Sequence, residues 1–283
     1  MIANDKNLYF VQEITMITLS KESINANNKF SQERINYARL LQAMNDDDIL
    51  LFGSKKDDYI IAQWNSATIM WIWTSNDITE EEKQEILNFI NEKYLTTELR
   101  RVIIKKDIFS LLNPEIIKNK TIWNASINPT PVLNKEIKGE LSKVTMEEIQ
   151  IIALFLSQHI EETENEVHTL EEMLPIAKKL IENENFYAWR DVDGQIASFA
   201  RLHFEDDEVG RIYTVFTNRD KRCQGFAGML IYHLSKIIID NGKIPMLYTD
   251  IESLAANKAY QNVGFMVQDQ LIEVNLNRDK IAN

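Results

Sequence analysis

The chain has 283 residues, 45% hydrophobic and 26% charged, a balance that supports a sizeable core and leaves room for two domains. Its formal net charge is −12. A chain this acidic gains no electrostatic help from a phosphate backbone, which argues against nucleic acid as a partner.

The first residues, Met1-Ile2-Ala3-Asn4-Asp5-Lys6, lack a basic stretch followed by an apolar core, so no signal peptide is expected. No run of about 18 apolar residues occurs, so no membrane partner is expected. A helical pattern covers about Ser31 to Met44. Three β-branched and aromatic runs follow, Ile49–Phe52, Tyr59–Trp64 and Thr68–Trp73, with Gly53-Ser54 and Asn65-Ser66 as turns. Trp71 and Trp73 alternate on one strand face and read as core or interface packing. Thr79-Glu80-Glu81-Glu82 has the spacing of a capping box ahead of a helix through Ile86, Leu87, Phe89 and Ile90. Arg101–Ile104 reads as a strand and Ile108–Ile117 as a short helix. These elements predict an α+β or α/β domain over residues 1–128 with no evident chemistry. Pro129-Thr130-Pro131 resists helix, so a linker is expected over 129–140, with a second domain over 141–283.

In the second half, Glu147 to Gln158 has helical spacing, and Leu170 to Ile181 is a helix that Pro175 should kink or break. Asp193-Gly194 between Phe186–Trp189 and Ile196–Phe204 predicts a hairpin. A strand over Glu208 to Thr217 leads to a long helix, Gly225 to Asp240, stopped by Asn241-Gly242. Ile244 to Asp250 is a strand, Ala255 to Val263 a short helix closed by Gly264, and Phe265 to Leu276 the last strand region. The single cysteine, Cys223, allows no intrachain disulfide and fits a reducing cytoplasm. His159, His168, His203 and His233 are scattered, so no metal site is expected.

The stretch from Thr214 to Met229 runs from strand through a glycine-bearing turn into a helix. Free backbone N–H groups at such a helix start carry partial positive charge and bind pyrophosphate. Gly225, Ala227 and Gly228 keep bulk away, and Lys221 and Arg222 add positive charge. Glycine at position 228, early in the helix, suggests that something approaches closely there. A plain strand-to-helix turn is the competing reading. The Walker A and dinucleotide-binding glycine patterns are both missing.

Arg222-x-x-Gly225-x-Ala227 resembles the Arg/Gln-x-x-Gly-x-Gly/Ala motif of the GCN5-related N-acetyltransferase (GNAT) family. Asn257-x-x-Tyr260-x-x-x-Gly264-Phe265 resembles the second block of that family. The resemblance covers Ser142 to Leu276 and implies a mixed, mostly antiparallel sheet flanked by helices. The first half could be a degenerate copy of the same fold without the phosphate motif. The resemblance also implies acetyl-CoA as acyl donor and direct attack by an amine of a small molecule or peptide. It implies that the pantetheine arm pairs with backbone of Val215, Phe216 and Thr217. Arg222, Cys223, Gln224, Gly225, Phe226, Ala227 and Gly228 would form the pyrophosphate cradle. Asn257 would contact the cofactor arm, and Tyr260 would protonate the departing thiolate. Two departures are visible: Ser253 stands where relatives often carry asparagine, and Leu254 where they often carry proline.

Asp250, Glu252 and Glu208 are candidates for the general base, each also readable as a solvated or capping carboxylate. The acidic segment Glu161 to Glu166 could attract a cationic acceptor or be a solvated face. A non-catalytic acyl-CoA sensor is the alternative function.

Overall fold

The computed structural model describes residues 16–64, 68–183 and 185–280. The turn at Asn65-Ser66 and the leader reading of Met1 to Lys6 fall outside the described residues. The N-terminal half runs through β1 (Met16–Thr18), α1 (Lys21–Asn25), α2 (Asn28–Ser31), α3 (Ala38–Met44), β2 (Ile49–Ser54), β3 (Tyr59–Trp64), β4 (Ile69–Thr74), α4 (Glu80–Thr96), β5 (Arg101–Ile104), α5 (Lys106–Phe109) and β6 (Ile117–Ile127). The C-terminal half adds β7 (Glu140–Lys143), α6 (Ile149–Glu164), α7 (Leu170–Glu182), β8 (Phe186–Arg190), β9 (Ile196–Phe204), β10 (Val209–Thr217), α8 (Phe226–Asp240), β11 (Ile244–Asp250), α9 (Leu254–Val263) and β12 (Met266–Leu276).

These elements gather into two compact units. The first takes the described residues up to Gln32, then Asp46–Asn119, and those from Val274 on. The second takes Glu33–Asn45 and Lys120–Glu273. In the first, strands lie in the order β1-β2-β3-β4-β5. Neighbours from β1 to β4 are antiparallel, β4 and β5 are parallel, and α4 is the crossover between those two. Trp73 and Trp71 are buried, and Phe30 meets Trp73 edge-on at 5.2 Å, as the packing reading of the tryptophans expects.

In the second unit the order is β12-β6-β11-β10-β9-β8-β7. Strands β10 and β11 are parallel, with α8 as their crossover; β7 through β10 and the β11–β6 pair are antiparallel. Both units therefore follow one scheme: an edge strand, helices, three antiparallel strands, a crossover helix, and a strand parallel to the third. The sheet of the second unit is covered on both faces. Leu230, Leu234 and Ile238 of α8 pack with Ala200, Leu202, Ile212 and Leu247 on one side. Ile152, Leu156, Met173 and Ala177 of α6 and α7 pack with Phe186, Phe199 and Phe216 on the other. Each leucine, isoleucine, methionine or phenylalanine among them contributes about 1.5–3 kcal/mol on full burial. Gly210 lets α8 lie close: a Cβ there would meet Ile238 at 2.6 Å.

Several local expectations need correction. The pattern over Ser31 to Met44 does not form one helix; a 3-10 turn at Arg34–Tyr37 precedes α3. The helix expected over Ile108 to Ile117 stops at Phe109, because Asn113 caps a 3-10 turn started by Pro114, and Ile117 already belongs to β6. Helix α7 runs through Pro175 without a break. Proline removes the bond to the Glu171 carbonyl, but both residues are exposed and water can serve that carbonyl. The Asp193-Gly194 turn forms as expected, with Gly194 at φ 76° and its N–H donating to Asp191 O at 3.0 Å.

Candidate acyl-transfer site

Strand β10 does not stay straight. Its pairing with β9 shifts register between Tyr213 and Phe216, and Thr214 sits at φ 52°. A β-branched residue in left-handed backbone is a costly outlier, of the kind that clusters where function requires it. Pairing of β10 with β11 is recorded only from Val209 to Arg211 against Ile244 to Met246. Beyond Arg211 the two parallel strands part, while β11 continues on β6 as far as Asp250 against Trp123. The carboxyl ends of a parallel pair that separates are where α/β folds receive ligands. Val215 is half-buried against the α8 core, Phe216 packs on the α6 side, and the Thr217 hydroxyl lies 2.9 Å from that of Ser198.

The loop after β10 leads to the N-terminus of α8. The Asn218 side chain accepts from Asp220 N at 3.1 Å, then Cys223 and Gly225 take positive φ, 61° and 91°. Gly225 is the N-cap and has no side chain to offer, and no acidic residue follows in the first turn. The free N–H groups at the start of α8 therefore keep their partial positive charge for an outside anion. Phe226 puts its ring into the core, so only its backbone is available to the loop. At Gly228 the protein itself demands no glycine, since a Cβ would meet only Val263 at 3.7 Å. Cys223 is exposed at this same end.

Helix α4, at the equivalent place in the first unit, is the reverse case. Thr79 accepts from Glu82 N at 3.3 Å, and the Glu82 carboxylate returns to Thr79 N at 3.1 Å. Glu80 and Glu81 complete an acidic first turn. That helix end is already capped by its own carboxylate, and a phosphate would meet like charge there.

The basic residues of the α8 loop are tethered. Arg222 Nη2 donates to both carboxylate oxygens of Glu162, at 2.8 and 2.7 Å, and its Nε donates to Thr217 O at 3.2 Å. Arg219 donates to Glu161 and Glu162 at 2.7 and 2.8 Å. Lys221 pairs with Asp191. These contacts hold the Glu162 carboxyl below its ordinary value despite partial burial. Glu161 and Glu162 thus anchor the loop; they are neither simply solvated nor free to draw a cationic acceptor. Gln224 is exposed and Ala227 half-buried.

On the other side of the gap, Asn257 and Tyr260 project from α9, three residues apart and so on one face. The Asn257 amide nitrogen donates to Asp250 O at 2.7 Å and to Ser253 O at 2.9 Å. Its oxygen accepts from Asn124 at 3.0 Å, and Asn124 accepts from Gln270 at 3.0 Å. Asn257 therefore braces the turn between β11 and α9. Tyr260 is buried beside Phe265, ring centroids 6.2 Å apart, and burial pushes its phenol well above its ordinary pKa. Among the candidate bases, Asp250 caps the turn by accepting from Glu252 N at 2.9 Å. Glu208 just precedes β10 and lies 3.6 Å from Arg34. It is roughly 30 Å of extended strand from Thr217.

Sequence reasoning missed a cluster on the face opposite α8. Arg201 and Arg211 lie over the ring of Tyr213, at 4.6 and 4.3 Å. Arg211 pairs with the fully buried Glu205 carboxylate, and Gln42 accepts from both Arg39 and Arg211, at 3.2 and 3.3 Å. Nothing local marks these residues, because Arg39 comes from the other half of the chain.

Residues 150–265 match the acetyltransferase (GNAT) family. No curated protein matches the chain significantly. Among solved structures, a GNAT-family acetyltransferase from Colwellia psychrerythraea is 12% identical, with a TM-score of 0.57 over 93% of this chain and 99% of that one. A GCN5-related N-acetyltransferase from Sphaerobacter thermophilus is 14% identical, with a TM-score of 0.60 over 92% and 95%. A tandem GNAT protein from the clavulanic acid biosynthesis pathway is 8% identical, with a TM-score of 0.50 over 92% and 97%. At these identities the structures speak to fold. Among the described residues no helix is long and apolar enough to cross a membrane, and no group of three or more His, Cys, Asp or Glu side chains is placed to hold a metal.

Proposed function

The C-terminal half of this chain is a GNAT-family domain, and from that premise we propose that the protein transfers an acetyl group from acetyl-CoA to a primary amine by direct attack. The observation that carries this reading is the uncapped, glycine-started N-terminus of α8 opening beside the parted ends of β10 and β11. Backbone of residues 223–228 would bind the pyrophosphate, and backbone of Val215 to Thr217 would pair with the pantetheine arm. Asn257 would act on that arm through the turn it braces. By function we divide the chain into an N-terminal domain over 1–128, a linker over 129–140 and a catalytic domain over 141–283. We place it in the cytoplasm, on the strength of its single cysteine.

The chemistry asks for three things. The amine must be neutral, and its nitrogen forms the new C–N bond as the C–S bond breaks. One amine proton leaves for solvent or a base, and the sulfur takes a proton as it departs. Tyr260 is the donor we assign to that last step. Burial raises its pKa, so it stays protonated across the working pH range. The same poorly solvated surroundings disfavour a bare thiolate, which makes a hydrogen bond from the phenol more valuable there.

The test is a thermal-shift titration of the whole chain with acetyl-CoA beside Gly225→Glu, followed by release of free CoA with an amine panel. A concentration-dependent rise in wild type, lost in the variant, supports the reading. No rise at millimolar acetyl-CoA overturns it. One observation favours a second reading, an acyl-CoA sensor: Asp250 serves as a cap and Glu208 lies far along the strand, which leaves the base unassigned. Tight CoA binding with no turnover, indifferent to Tyr260→Phe, would select the sensor.

A further inference from the structure

The second unit holds an excess of positive charge in a half-buried place. Arg201 and Arg211 lie over Tyr213, the residue just before the Thr214 buckle and two residues beyond the last β10–β11 pair. Arg39 reaches the cluster from α3 by sharing the Gln42 amide oxygen with Arg211. Helix α3 and the turn before it are fixed on this face: Tyr248 donates to Asn36 O at 2.8 Å, and Asn45 donates to Glu205 O at 3.2 Å.

The cluster contains one carboxylate, that of Glu205; Arg211 donates to one of its oxygens, and His203 lies 3.7 Å from the other. Among the described residues neither Arg39 nor Arg201 has an ion-pair partner. Burial, and then the Arg211 charge, push both guanidiniums down from their ordinary values; for Arg39 the Glu205 carboxylate offsets this only in part. Uncompensated, half-buried arginines are expensive, and a −12 chain has carboxylates to spare for them. The Arg222 and Arg219 pairs show this chain supplying carboxylates where only anchoring is needed. Here, among the described residues, the Arg201 fork makes no hydrogen bond and the Arg39 fork only the one to Gln42, around the residue that precedes the buckle.

We propose that Arg39 and Arg201 bind a carboxylate carried by the acceptor amine, so that the substrate class is amino acids or peptides presenting a free carboxylate near the reacting amine. This rests on the acyl-transfer reading of the neighbouring strand gap. A planar carboxylate fits a guanidinium fork, and the open forks supply locally the attraction that the net charge of the chain denies to anions. Binding the carboxylate beside Tyr213 would set the amine toward the backbone of residues 214–217.

The test uses the full chain with CoA at saturation and phenylglyoxal as an arginine-selective reagent, with modified sites mapped by mass spectrometry. Probes are free amino acids, their carboxamides, and phosphoethanolamine. The proposal expects free acids to slow modification of Arg39 and Arg201 while carboxamides do not. It also expects kcat/KM for free acids to exceed that for carboxamides by about tenfold or more, from lost charge-assisted hydrogen bonds. Arg201→Gln should then raise KM for acids and leave KM for amides in place, its acetyl-CoA thermal shift reporting an intact fold. Protection by phosphoethanolamine alone, protection by acids and amides alike, or no protection overturns the proposal. Protection does not require turnover, so it is judged apart from acyl transfer, which fails by the acetyl-CoA titration.

Discussion

Arg222 and Glu162 form a two-oxygen ion pair that joins the α8 loop to helix α6, one guanidinium nitrogen lying 2.8 and 2.7 Å from the two carboxylate oxygens. Arg219 leans on the same carboxylate at 2.8 Å. Both partners are substantially exposed, so the stability at stake is about 1 kcal/mol or less. The functional consequence is larger. Glu162→Gln should lower the melting temperature only slightly while leaving Arg222 without a carboxylate, and Arg219 with Glu161 alone, beside the proposed pyrophosphate site. CoA should then bind a few-fold tighter at low salt, with the gain vanishing near 0.5 M salt, where screening is strong. Calorimetric titration at the two ionic strengths reads this. Equal affinities at both would mean that the loop arginines do not face the ligand.

Gly225 separates backbone strain from ligand contact. At φ 91° a side chain costs on the order of 1–2 kcal/mol, and its Cβ would meet Ile137 at 3.3 Å. Gly242, after the other end of α8, has φ 73° and nothing within 4 Å of a Cβ. Both Gly225→Ala and Gly242→Ala should cost stability in a denaturant melt through backbone strain, Gly225→Ala somewhat more because of Ile137. Only Gly225→Ala should weaken CoA binding. If both weaken it alike, binding responds to global stability and the cradle lies elsewhere.

Tyr260→Phe removes one oxygen from a buried ring that packs on Phe265. The fold and the CoA thermal shift should survive, and kcat should fall about 10–100-fold, the worth of a hydrogen bond to a charged group. Because burial raises the phenol pKa, ionisation of Tyr260 should cause no loss of rate as pH climbs toward 10. An unchanged kcat in the variant would remove Tyr260 from the reaction.

Much of this was readable from the sequence, for reasons visible residue by residue. Gly225, Asn257 and Tyr260 belong to local motifs whose geometry depends on near neighbours. The capping box at Thr79 and the Asp193-Gly194 hairpin are local in the same way. Other missed features, unlike the turn at Pro114, depend on distant partners. The role of Glu162 is set by Arg222, 60 residues away. Arg39 joins Arg211 through Gln42, which lies 169 residues from Arg211 in the chain. The 3-10 turn at Arg34–Tyr37 breaks a periodic pattern because that segment is held by Tyr248 and Asp206 of the second unit. No window of sequence contains those partners.

The Arg211–Glu205 pair is a buried charge contact on the β10 face, with Glu205 closed to solvent. Removing one member strands the other in a poorly solvated site, at a cost of about 3–5 kcal/mol. Arg211→Met and Glu205→Met should each unfold much earlier in denaturant than wild type. The double variant should recover part of that loss, since neither member of the pair is then left charged without the other. Additive losses in the double-mutant cycle would show that the two residues act independently.

His159 ties stability to pH at the same face. It lies on α6 with its ring edge-on to Phe216 at 6.1 Å, and burial pushes its pKa below 6.5, against a smaller upward pull from Glu162. The folded chain therefore takes up this proton at lower pH than the unfolded chain does. By linkage, its contribution is complete above about pH 6.5 and is lost as pH falls below it toward the folded-state value. His233, stacked on Trp189 at 5.1 Å and also lowered by burial, acts with the same sign. The melting temperature should fall between pH 7.5 and 5.5, and His159→Gln should reduce that fall without abolishing it. The Glu162 contribution, present above about pH 4.5 and lost only below it, lies outside this window. If the variant falls as steeply as wild type, His159 charges freely in the folded state. Its ring would then have to move away from Phe216, and β10 would lose a packing partner beside the residues that are to hold the acyl donor.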